Sequence, residues 1–216
     1  MTTDNNINPT PTWRPLRPIA AMLSGLFHPL TMMVWLVTLV MLGFASPLTY
    51  PSPVVRYVIG TVVFMTMGVP LLFYGLLRLL GVVKRGEAGS RRTRVMMLVT
   101  MALCFTCCGV VFDGIVVLFL IRKMLYTATA VVAVLLACEL FYPLCPYTTA
   151  LGALLGMMWM LLVVGNVALL VPFIVGIVAT GLLATSRLML TDRKVASVVL
   201  GAPVGFAVAA IVLVLI

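Results

Sequence analysis

Long apolar runs follow one another along most of this 216-residue chain, with only short polar turns between them. A run of about 18 or more apolar residues is long enough to cross a bilayer as a helix. Inside lipid no water is at hand for the backbone, so a span has to satisfy its own N–H and C=O groups. The runs are rich in Leu, Met, Ala and Gly and show no sustained polar–apolar alternation, which argues for helices and against a barrel. No polar face recurs along them that would meet water in a soluble fold. With 63% hydrophobic and 9% charged residues and a mean hydropathy of +1.25, the expected class is an all-α integral membrane protein, a polytopic bundle of six to seven transmembrane helices.

The candidate spans are approximately Phe27–Ala45, Tyr57–Leu80, Val95–Phe112, Leu118–Phe141, Thr148–Gly165, Ala168–Ser186 and Val195–Ile216. Pro47, Pro51 and Pro53 mark the first turn and Asp113-Gly114 the third. Gly165-Asn166 is a weaker break, and one bent helix there would reduce the count to six. No second domain or long linker is visible. Residues 1–26 are expected to form a polar N-terminal segment in which Trp13, Arg14 and Arg17 anchor at the membrane interface, and residues 27–216 a single transmembrane domain. The proline-rich start does not resemble a cleavable leader, so the N-terminus is expected to be retained.

Charge then orients the bundle. The seven-span arrangement gathers Arg14, Arg17, Lys84, Arg85, Arg91, Arg92, Arg94, Arg187, Arg193 and Lys194 on one face, while Arg56, Arg122 and Lys123 fall toward the other. This bias predicts a cytoplasmic N-terminus and cytoplasmic basic loops, in a bacterial inner membrane. The net charge of +9 therefore reads as topology and attraction to anionic lipid. No aromatic residues alternate with basic ones on a polar surface, so nucleic acid is not an expected partner.

Ordinary chemical motifs are missing. The Cys104-x-x-Cys107-Cys108 run lies inside an apolar stretch with no histidine or carboxylate nearby, so small packing residues are expected there and neither a metal nor another cofactor. The lone histidine, His28, stands at the start of the first span and is expected to be an interfacial or capping residue. The five carboxylates are far apart in sequence. Glu139, near the end of the fourth span, has three options: to snorkel, to pair with an arginine, or to line a site. Gly152-x3-Gly156 and Gly201-x3-Gly205 permit close helix approach; within one chain or between chains is open, and oligomerisation through these faces is one expectation.

The basic residues carry more pattern than topology requires. Lys84 and Arg91 are separated by six residues, Ser186-Arg187 closes the sixth span, Arg193 follows Arg187 after five intervening residues, and Cys145-Pro146-Tyr147-Thr148 opens the fifth span between them. All three segments fall on one predicted membrane face, where converging basic groups hold phosphate by charge-assisted hydrogen bonds. In this layout the chain resembles the type-2 phosphatidic acid phosphatase superfamily, in particular small bacterial members. That family carries Lys-x6-Arg-Pro, a Ser-Gly-His-like segment opening a helix, and Ser-Arg-x5-His-x3-Asp. Phe27-His28-Pro29-Leu30, Arg187-Leu188-x-Leu190 and Gly201-x3-Gly205 are similar to segments of the same group.

The resemblance implies a phosphatase-like bundle in which Lys84, Arg91 and Arg187 hold phosphate, joined by the extra charge of Arg193. It also implies where chemistry is lost. Tyr147 stands in the place of the histidine acting as general acid, Arg193 in that of the nucleophilic histidine, Ser197 in that of the residue orienting it, and Arg92 in that of the first motif's proline. A guanidinium stays protonated and cannot attack phosphorus as a neutral imidazole does. A phenol with an unperturbed pKa near ~10 is poorly matched to neutral pH. The expectation is a catalytically silent relative, a pseudoenzyme that holds a lipid phosphate, either a phospholipid or an isoprenoid phosphate. Two alternatives stay open: an active lipid phosphatase using His28 or Tyr147, and a small transporter, channel subunit or assembly factor whose basic loops only set topology.

Overall fold

The computed structural model describes residues 17–43, 50–80, 91–190 and 195–216. Its elements are α1 (Arg17–Leu26), α2 (Pro29–Met41), α3 (Ser52–Val63), α4 (Val69–Leu79), α5 (Arg91–Val111), α6 (Phe119–Phe141), α7 (Pro146–Val163), α8 (Leu170–Leu190) and α9 (Val195–Leu215). Among the described residues there is no strand. A π-helical turn, Phe64–Gly68, joins α3 to α4, so the two form one span from Ser52 to Leu79. Among the described residues six helices are long and apolar enough to cross a membrane. The protein is an all-α polytopic membrane bundle.

The first candidate span proves shorter than its apolar run. Pro29 lacks an amide hydrogen and restricts the residue before it, so His28 adopts an extended backbone (φ −69°, ψ 143°) and the helix starts after it. Met41 ends α2, and Gly43 follows at φ 87°. The resulting 13 residues reach ~20 Å, short of a ~30 Å hydrocarbon core. The weak break at Gly165-Asn166 is a true reversal: Gly165 has φ 106°, a backbone that side chains other than glycine's rarely tolerate, and α7 and α8 are separate helices. The count of six thus arises from a short α2, not from a merged α7 and α8. Residues 17–26, read from sequence as part of a polar segment, form α1, which lies along α8.

The π turn has a local cause. Pro70 cannot donate to the ladder and its ring crowds the preceding turn, so the helix widens: the Val69 amide bonds Phe64 O, five residues back. Thr66 within this turn is buried, and its hydroxyl has no hydrogen-bond partner among the described residues.

At the centre stands α7, with 61% of its residues buried against 22% of the most apolar 18-residue stretch of α9. These two helices run parallel and touch at the backbone. A β-carbon on Gly152 would collide with the Ala202 carbonyl, one on Gly156 with that of Phe206, and one on Gly205 with that of Thr149. Gly201 sits against the hydroxyls of Thr148 and Thr149. Both small-residue motifs are therefore used within one chain. On the other side of the bundle α5 packs on α6, where Gly109 makes room for the ring of Tyr126. Cys104 and Cys108 are buried and Cys107 is exposed on the flank.

Candidate site at the basic end

The start of α7, at Tyr147, meets the start of α2, the end of α8 and the start of α9. The turn Tyr142–Cys145, which leads into α7, is tied to the start of α9: the Cys145 amide donates to the Ser197 carbonyl (3.1 Å), and the Ser197 hydroxyl donates to the Pro143 carbonyl (2.6 Å). The hydroxyls of Thr148 and Thr149 donate back to Cys145 O at 3.1 and 3.0 Å. Tyr147, the second residue of α7, is thereby fixed in place. Ser197 is buried and spends its hydroxyl on this scaffold.

Two groups lie on Tyr147. The Arg187 guanidinium stands 4.0 Å from the ring centroid, a cation–π contact worth about 1–2 kcal/mol when shielded from water. The His28 ring meets Tyr147 edge-on, with centroids 5.3 Å apart. His28 caps α2, as sequence position predicts, by accepting the Leu30 amide at Nδ1 (3.3 Å). A neutral imidazole with Nδ1 accepting carries its proton on Nε2. The edge-on ring contact also brings His28 to Tyr147, a residue the sequence could not pair it with. Arg187 takes part in no ion pair among the described residues, and its Nε is buried without a hydrogen-bond partner.

Across the end of the bundle, α5 meets α6. Arg91 Nη2 lies 3.4 Å from the Leu140 carbonyl, at the C-terminus of α6, where the helix dipole favours a cation. One turn further, Arg94 donates to Glu139 Oε1 from Nε (2.8 Å) and Nη2 (2.6 Å). Glu139 is 5% exposed, and of the three roles open to it the structure gives it two, since it also lines a cavity. Arg94 was missed as a site residue; its place one turn from Arg91 on the same helix was the available clue.

The cavity lies between α2, α4, α5, α6 and α7 and has a volume of about 450 Å³. His28, Arg94, Glu139 and Tyr147 line its end near the basic face, and methionine, leucine and valine side chains form most of the rest. Arg187 is not part of its wall; it sits against Tyr147 instead. Of the residues the sequence singled out, the structure thus brings Tyr147 and Arg187 together, adds His28, and sets Arg91 apart, at the start of α5 against the C-terminus of α6. Lys84 and Arg193 lie outside the described residues. Among the described residues no group of His, Cys, Asp or Glu is placed to hold a metal ion.

No family model, no curated protein and no solved structure matches the chain. Fold and site together define a helical membrane protein with a cationic, aromatic cluster at one end and an apolar chamber beside it.

Proposed function

We propose that this protein is a relative of the type-2 phosphatidic acid phosphatases that holds a lipid phosphate headgroup at its basic end without hydrolysing it. The observation that carries the reading is Arg187, a guanidinium stacked on Tyr147 with a buried Nε that has no acceptor among the described residues. A phosphate oxygen would supply that acceptor, and a charge-assisted bond of this kind is about twice as strong as a neutral one. His28, with its proton on Nε2, is suited to donate to the same anion and has no free lone pair there for attack on phosphorus. Tyr147 and Arg193 stand where the family has histidines, and neither supports a phosphohistidine intermediate. In this reading Lys84 and Arg193 are carried over from the family's motifs as further charge for the headgroup, Arg91 acts from its place against the end of α6, and the basic end faces the cytoplasm of a bacterial inner membrane.

The test is paired. Purified protein is assayed for phosphate release from phosphatidic acid and from an isoprenoid phosphate, and for thermal stabilisation by the same lipids. The expected result is stabilisation without turnover, with stabilisation lost in Lys84→Gln/Arg91→Gln/Arg187→Gln. Turnover abolished by Tyr147→Phe would replace this reading with an active phosphatase. Equal response of wild type and triple variant to the lipids would leave the basic residues with topology alone.

A further inference from the structure

The anion site leaves the cavity unexplained. Its walls are apolar, Met32, Met97, Met101, Phe105, Val132 and Met157 among them, and its charged groups stand only at the end near the basic face. The α4 side is thin. Leu71 lines the cavity and is 54% exposed, and Pro70 is the one buried residue of α4, so the chamber reaches the flank of the bundle there. At about 450 Å³ it falls within the ~300–1,000 Å³ usual for ligand sites. An apolar chamber in a membrane bundle, open to the flank and polar at headgroup level, accommodates a lipid with its chain inward.

The rim specifies the head. Arg94 and Glu139 place one positive and one negative group side by side, and both of Arg94's bonds to Glu139 land on Oε1, so Oε2 takes no part in them. A head carrying only phosphate would face the Glu139 carboxylate and be repelled. A head carrying only hydroxyls would leave both charges to each other. A head with phosphate and a primary ammonium answers both, the phosphate at Arg94 and the ammonium at Oε2 of Glu139. We propose that this cavity binds a zwitterionic aminophospholipid of the phosphoethanolamine type, one chain lying between α2, α4, α5, α6 and α7 and the head clamped by Arg94 and Glu139. Tyr147 separates this site from Arg187, so the two stand or fall separately.

The experiment is native mass spectrometry of delipidated protein offered phosphatidylethanolamine, phosphatidylcholine and phosphatidic acid of equal chain length. Wild type should retain phosphatidylethanolamine about tenfold over phosphatidic acid, and over phosphatidylcholine, whose methylated ammonium has no N–H to donate. Glu139→Gln should erase the preference. Ala128→Phe, which fills the chamber and leaves the pair intact, should abolish retention. The triple variant Lys84→Gln/Arg91→Gln/Arg187→Gln should keep it, which separates this site from the anion reading. Should Glu139→Gln fail to fold, the choline comparison on wild type carries the headgroup test. Equal retention of the three lipids by wild type, or phosphatidylethanolamine undiminished in Ala128→Phe, would overturn the proposal.

Discussion

On one side of α7 the chain is packed backbone to backbone; on the other it leaves a chamber. The α7–α9 seam is built from glycines that sit against carbonyls of the neighbouring helix, with no room for another atom. The opposite face of α7, toward α2, α5 and α6, is lined by larger side chains that stop short of filling the space. Methionine, unbranched and adaptable, lines much of this side. One helix therefore serves as rigid frame on one face and as the wall of a site on the other. Tyr147, at its start, is held by the frame and looks onto the site.

The contrast can be broken most severely at the seam. Gly152→Leu drives a side chain into the Ala202 backbone, and we expect a loss of about 3 kcal/mol or more, read as loss of monodisperse protein and a collapse of the thermal transition. If Gly152→Leu stays folded with an unchanged transition, the seam is not the frame. Arg94→Gln comes next. It leaves Glu139 buried beside the cavity without its cation, which costs about 3 kcal/mol, and Arg94→Gln/Glu139→Gln should recover most of that in the same thermal assay.

Smaller effects sharpen the other side. Tyr147→Ala removes the platform under Arg187 and should cost about 1–2 kcal/mol, whereas Tyr147→Phe keeps the ring and should change stability little. Equal losses in the two would mean that the hydroxyl, not the ring, holds the cluster. Ala128→Phe adds a ring where space exists, so its transition should move by no more than about 1 kcal/mol, against the much larger loss at Gly152. The smallest effect belongs to the far end of the bundle. There Arg122 pairs with Asp113 on an exposed turn, and Arg122→Gln should cost less than about 1 kcal/mol.

How much of this was readable depends on whether a feature is local. Hydropathy placed every apolar helix because each residue reports its own preference for lipid. It overstated the first span because it cannot see that Pro29 delays the helix and that Leu42-Gly43 end it. The glycine motifs were visible as motifs, but their partner was not, since Gly152 meets Ala202 only once α7 and α9 lie parallel. The site divides in the same way. Motif spacing singled out Tyr147 and Arg187, and sequence position marked His28 as a cap. Their convergence, the Arg94–Glu139 pair and the cavity depend on contacts between residues dozens of positions apart, which no local pattern encodes.

The most direct test of the account is native mass spectrometry with lipid identification on protein purified from a bacterial membrane, wild type beside Lys84→Gln/Arg91→Gln/Arg187→Gln. Wild type should carry a phosphatidic acid or an isoprenoid phosphate that the triple variant loses. If both proteins carry the same lipid phosphates in the same amounts, or neither carries any, the basic end is not a headgroup site.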